Sequence, residues 1–174
     1  MDSETTGYHL FLEPTGALKE KLAGYIHTLA ETYGGPVFPP HVTLVGSIPN
    51  LEEEEVIAKA TALAHTPLTL TLGDLDGEDA YFRAFYIRIE ENEALASYYE
   101  QACAMFGVPL QTYCPHLSLF YGGVSDTARA AMKDSLPYAA GESFVVDSLS
   151  VYRGEGGAEE WQKVAEIPFA IPIR

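Results

Sequence analysis

The sequence predicts a mixed α+β fold of two pseudo-symmetric lobes, with mostly antiparallel sheets, outer helices and a central cleft. Three observations predict it. The elements read in the order β-α-β-α-β-β-α-β-α-β-β, and sequence-adjacent strand pairs beside crossover helices suit a sheet covered by helices. PHVTLV at 40–45 is answered by PHLSLF at 115–120. Each copy also follows one helical stretch and precedes another.

The elements are justified in turn. GYHLFL at 7–12 reads as a short strand, and after Pro14 the residues Leu18, Leu22, Ile26, Leu29 and Ala30 recur at helical spacing over 17–33. GGP at 34–36 stops that helix. Residues 41–48 form a strand ended by Pro49-Asn50, and helix 51–65 follows with Leu51, Val56, Ala60 and Leu63 as its buried stripe. Its acidic block, Glu52 to Glu55, suits the positive end of the helix dipole. LTLTLGDL (68–75) and YFRAFYIRI (81–89) alternate around DGEDA and read as a strand pair. Helix 93–106 closes at GVP, strand 116–121 ends at Gly122-Gly123, and a helix around 126–136 takes Ser125 or Asp126 as its cap. The tail gives strands 143–152 and 161–169 around the glycine-rich RGEGGAEE, with Trp161 anchoring the last.

Composition bounds the function. A chain of 174 residues with 47% apolar and 20% charged residues is expected to be a globular domain with a substantial core, residues 1–174 forming one unit of two lobes. No apolar run reaches the ~18 residues of a membrane span, and MDSETTGYHL lacks the features of a signal peptide, so a cytoplasmic monomer is expected. The formal net charge is −15. Affinity for long nucleic acid comes largely from Lys and Arg displacing counterions, so long RNA or DNA is not expected as a ligand while a small anion can be held by a few local donors. Cys103 and Cys114 match no zinc spacing and are too few for a disulfide framework; whether they pair is open.

The repeated motif carries the chemistry. Side chains alternate along a strand, so His41 and Thr43 share one face while Val42 and Leu44 take the other. His116 and Ser118 repeat this between Leu117 and Leu119, and Pro40 and Pro115 stand at strand starts, where a missing N–H costs least. An imidazole near its ordinary pKa of ~6.5 serves as acid or base. Two imidazoles flanking one phosphate could therefore take a proton from attacking water and return one to the leaving oxygen. The hydroxyls would donate to the non-bridging oxygens. No metal or cofactor is expected, since neither HxxxH nor HExxH occurs.

PPHVTLVGS and CPHLSLFYG resemble the two-histidine (2H) phosphoesterase superfamily, marked by two His-x-Thr/Ser motifs, and are most similar to its small plant and yeast cyclic phosphodiesterases. The resemblance implies a bilobal fold with a water-filled cleft, catalytic His41 and His116, and Thr43 and Ser118 holding the phosphate. It implies a cleft-lining Tyr121, although strict alternation puts Tyr121 with Leu117 on the opposite face from His116, as a core residue. It also implies an aromatic base platform near the first strand, where Phe11 stands in place of the family's tryptophan. The reaction implied is hydrolysis of ADP-ribose 1″,2″-cyclic phosphate to ADP-ribose 1″-phosphate, and of nucleoside 2′,3′-cyclic phosphates to 2′-phosphates. A 2′-5′ RNA ligase-like RNA-end processor and a non-catalytic nucleotide-binding module are the alternatives, with a structural domain carrying a fossil repeat as the blandest. Acid and base are not assigned by the sequence, with a slight preference for His116 activating water. Arg83, Arg88 and Arg153 are equal candidates for binding the substrate's phosphates, while His9, His27 and His65 read as edge or structural histidines.

Overall fold

The computed structural model describes residues 3–63 and 65–170. Eight strands form one antiparallel sheet: β1 (Tyr8–Leu12), β2 (Val42–Ile48), β3 (Leu68–Asp76), β4 (Phe85–Ile89), β5 (His116–Phe120), β6 (Ser143–Val146), β7 (Ser148–Arg153) and β8 (Gln162–Pro168). Among the described residues there are four α-helices: α1 (Gly16–Tyr33), α2 (Glu53–Ala62), α3 (Glu93–Phe106) and α4 (Asp126–Ser135). The spatial order is β6-β3-β4-β5-β2-β1-β7-β8. It divides at the centre into two four-strand halves, one ending in β5 and the other in β2, the two motif strands.

The helices follow their apolar stripes. Leu18, Leu22, Ile26, Leu29 and Ala30 of α1 are buried, each full-sized aliphatic side chain contributing about 2 kcal/mol. Helix α1, which leads into β2, packs on β5, and α3, which leads into β5, packs on β2. This exchange ties the halves together. Both helices end on a left-handed glycine, Gly34 at φ 78° and Gly107 at φ 65°, whose N–H returns to Ala30 and Cys103 respectively. Each is followed by x-Pro and an exposed aliphatic residue, Val37 or Leu110. The internal repeat therefore extends back through the loop before each histidine, the second loop being longer. Ser125 caps α4, accepting from the N–H of Ala128.

Three expectations need correction. The strand expected over 143–152 is two strands: β6 pairs with β3 in one half, whereas β7 pairs with β1 and β8 in the other. Asp147 alone joins them, so the sheet must curl until its ends approach, because one residue spans only about 3.8 Å. The strand expected over 81–89 begins at Phe85, Tyr81–Arg83 forming a 3-10 turn instead. Alternating residues there look extended, but Ala84 adopts a helical backbone. Helix α2 ends at Ala62, short of the expected 65, and Ala64 of that span lies outside the described residues.

Candidate active site

His41 immediately precedes β2 and His116 opens β5. These neighbouring strands pair only at Val42↔Leu117 and then diverge, so the motifs meet at the floor of a cleft. His41, Thr43, His116, Ser118, Phe11 and Tyr121 all line one cavity of about 390 Å³. Every side chain that the resemblance implies for the site is therefore brought to the same place.

Both imidazoles are pinned alike. His41 Nδ1 lies 2.6 Å from the Pro39 carbonyl oxygen and His116 Nδ1 lies 2.8 Å from that of Cys114. A carbonyl can only accept, so each neutral ring carries its proton on Nδ1 and keeps a basic Nε2 for the substrate. The strand proline sits between each histidine and its carbonyl partner, which fixes the turn that makes this bond. Burial pushes the His41 ring, 3% exposed, down to about 4. His116 is also lowered, chiefly by burial with Arg83 adding to it, while the Cys114 carbonyl and Glu78 oppose.

Supporting aromatic residues repeat too. Phe11 stands opposite Thr43 and stacks on His41 at 3.7 Å between ring centroids. Tyr86 stands opposite Ser118 and tilts against His116 at 4.9 Å. Phe11 is only 1% exposed, so a face that could stack on a base is already covered by the imidazole. Tyr121 departs from strict alternation because β5 ends at Phe120. Its ring turns into the cavity, stacked on Phe38 at 3.8 Å.

Other cavity residues were not assigned by the sequence reading. Trp161, expected as an anchor of the last strand, lies just before β8 and lines the cavity, its Nε1–H donating to Thr5 Oγ1 at 2.7 Å. Phe82 and Arg83 reach the cavity because the 3-10 turn lifts them off β4. Of the candidate arginines, Arg83 is at the site, ion-paired to Glu78 at 2.6 Å. Arg88 pairs with Asp76, and Arg153 with Glu53 and Gln162, away from this cavity. His9 is a cavity residue, not a solvated edge histidine: it is 5% exposed and burial pushes its ring down to about 4. Its Nδ1 accepts the N–H of Ser47 at 3.2 Å. Ser47 takes φ 53°, where the β1–β2 register shifts, and such bulges gather beside active sites. The sequence named Arg83 only as one of three equal candidates, read Trp161 as a strand anchor and gave no signal for Phe82.

Cys103 is buried and Cys114 exposed, both as free thiols. Among the described residues no group of three or more His, Cys, Asp or Glu gathers to hold a metal, and no helix is long and apolar enough to cross a membrane.

Comparison with known proteins agrees with this fold. A search of curated protein sequences gives no match. Among solved structures, Escherichia coli LigT in apo form superposes with TM-score 0.64 at 12% identity, covering 97% of this chain and 100% of LigT. The TT0787 protein of Thermus thermophilus gives 0.65 at 16% identity, with 93% and 97% covered. A structure described as a phosphoesterase gives 0.60 at 11%, with 97% and 100% covered. At these identities the likeness shows a shared fold, LigT-like with its curled antiparallel sheet. The 2'-5' RNA ligase superfamily is matched over residues 18–158, a span that contains both histidine motifs. The chain therefore belongs to the 2'-5' RNA ligase superfamily, the two-histidine phosphoesterases.

Proposed function

We propose that the protein is a cyclic phosphodiesterase acting without a metal on small substrates. It would open ADP-ribose 1″,2″-cyclic phosphate to ADP-ribose 1″-phosphate and nucleoside 2′,3′-cyclic phosphates to 2′-phosphates. The observation that carries this reading is the pair of imidazoles in one cavity, each tethered through Nδ1 to a backbone carbonyl. In the proposed reaction one Nε2 takes a proton from water as its oxygen bonds to phosphorus. The other ring donates a proton to the ester oxygen as the P–O bond breaks. Thr43 donates to a non-bridging oxygen, Ser118 turns to the phosphate the hydroxyl proton that it gives to the Phe82 carbonyl at 3.1 Å in the free site, and Arg83 supplies positive charge to the phosphate. Trp161 and Phe82, with ring planes 24° apart, are better placed than the covered Phe11 to stack on a base. A net charge of −15 favours a small substrate over long RNA.

One observation favours the RNA-end reading. A second cavity of about 300 Å³, lined by Gln111, Thr112 and Tyr113, shares Thr43, Arg83 and His116 with the first. A phosphodiester with a nucleoside-sized group on each side of phosphorus would fill both.

Phosphorus NMR separates the readings, with ADP-ribose 1″,2″-cyclic phosphate, 2′,3′-cyclic AMP and a short oligoribonucleotide ending in a 2′,3′-cyclic phosphate incubated side by side in EDTA. The proposal expects a 1″-phosphate from the first and a 2′-phosphate from the second. Turnover of the oligonucleotide alone would favour end processing, and no product from any of them would overturn the enzyme reading.

A further inference from the structure

The two halves place matching residues beside their histidines, with one reversal of charge. On β4, the residue two past Tyr86 is Arg88, directly opposite His116. The same step along β1 from Phe11 arrives at Glu13, next after Leu12, whose partner is Val42. In the strand register an arginine thus stands opposite one histidine and a glutamate follows the strand beside the other. Arg88 is exposed and paired with Asp76. Glu13 is 8% exposed and accepts from Ser150 Oγ at 2.6 Å, Tyr152 Oη at 2.9 Å and Lys163 Nζ at 2.5 Å. Lys163 is shared with Glu166. Burial alone would raise the Glu13 carboxyl, but these donors outweigh it and hold the group below the ordinary value. A buried carboxylate with this many donors is built to stay charged.

We propose that Glu13 is a positioning residue acting through its charge: it is the counter-ion that lets the enclosed His41 ring become imidazolium during turnover. Either role demands that form. As base, His41 Nε2 ends with the proton taken from water; as acid, it begins with the proton it gives to the leaving oxygen. The titratable and charged groups around it are His9 from β1, Glu13 directly after that strand, His116 and Tyr121 at β5, Tyr152 from β7, Lys163 from β8, Arg83 from the 3-10 turn, and Glu4 on the N-terminal segment. Burial is the main force against protonating His41, and His116 and His9 add to it. The Pro39 carbonyl and the Glu13 charge oppose it. His116, partly open to solvent, has less need of such a partner. Tyr152 joins Glu13 to the site mechanically as well, since its ring lies 4.8 Å from Phe11, which stacks on His41.

Charge and mechanical support separate by experiment. The His41 Cε1–H resonance is followed against pH by NMR with inorganic phosphate present, in the wild type and in Glu13→Gln, Glu13→Asp and Tyr152→Phe. Glu13→Gln is expected to move the His41 midpoint down by about one pH unit, and Glu13→Asp to restore part of it. Tyr152→Phe keeps ring and charge and is expected to leave the midpoint in place. An unmoved midpoint in Glu13→Gln, or an equal shift in Tyr152→Phe, would overturn the proposal; should the Gln variant not fold, the Asp and Phe variants decide between the same outcomes. The kinetic consequence rests on the paired-histidine reading: kcat falls about tenfold in Glu13→Gln with KM within twofold, and the pH limb moves with the NMR midpoint. The titration needs no turnover, so an inactive wild type would count against the enzyme reading and leave this result standing.

Discussion

Acidification from pH 7 to pH 5 should cost this protein a large part of its stability, chiefly through two buried histidines, with His116 lowered in the same direction. His9 and His41 are 5% and 3% exposed, and burial holds both near a pKa of about 4. In the unfolded chain each returns to ~6.5. Between these values the unfolded state binds more protons than the folded one, so stability falls as pH falls through the window from about 6.5 to about 4. Integrating to pH 5 gives about 2 kcal/mol for each ring, about 4 kcal/mol together. That compares with a total of roughly 5–15 kcal/mol for a typical domain. The acidic surface works the other way, because protonating carboxylates relieves the repulsion behind the net charge of −15. Free carboxylates titrate near 4, so the interval from pH 7 to 5 isolates the histidines. Urea unfolding followed by circular dichroism is the assay, and with a slope of about 2 kcal/mol/M the midpoint should drop by about 2 M. His9→Gln, which keeps an acceptor near the Ser47 N–H, should remove about 2 kcal/mol of the pH dependence. A midpoint that does not move between pH 7 and 5 would refute the reasoning, as would an undiminished drop in the variant.

Three further outcomes are expected. Gly35→Ala should destabilise by about 1–3 kcal/mol, since a Cβ there would stand 2.5 Å from the Phe120 ring and 2.9 Å from the Tyr121 carbonyl oxygen; thermal melts check it. Arg83→Gln should weaken binding of 2′-AMP about tenfold by calorimetry, about 1.4 kcal/mol, because this cation borders both cavities at His116. Trp161 is the single tryptophan, so 2′-AMP binding should change the intrinsic fluorescence, and Trp161→Ala should cost about 1–3 kcal/mol of affinity if a base stacks there.

The candidate site was legible because its signal is local. A period of two on either side of His41 and His116 places imidazole and hydroxyl together, and a second copy of the pattern gives the pseudo-symmetry. Alternation also extends only as far as the strand does, which is why it misplaced Tyr121 at the end of β5. The apolar stripe of α1 was readable residue by residue. What was hidden depends on long-range pairing. Asp147 looks like one polar residue inside a strand, and only the partners of β6 and β7 show that the chain changes halves there. Arg83 alternates like a strand residue, yet the turn before β4 delivers it to the cavity. Glu13 follows an ordinary apolar strand, and its role emerges only when Ser150, Tyr152 and Lys163 converge on it from β7 and β8.

The account rests on His41 and His116 working as a pair on one phosphate, and single-turnover hydrolysis of 2′,3′-cyclic AMP by His41→Ala and His116→Ala tests it most directly. Each variant should lose a factor of about 10² or more in rate, with binding of 2′-AMP retained, and the double variant should be little worse than either alone because the two rings serve one proton relay. Wild-type turnover in either single variant would contradict it.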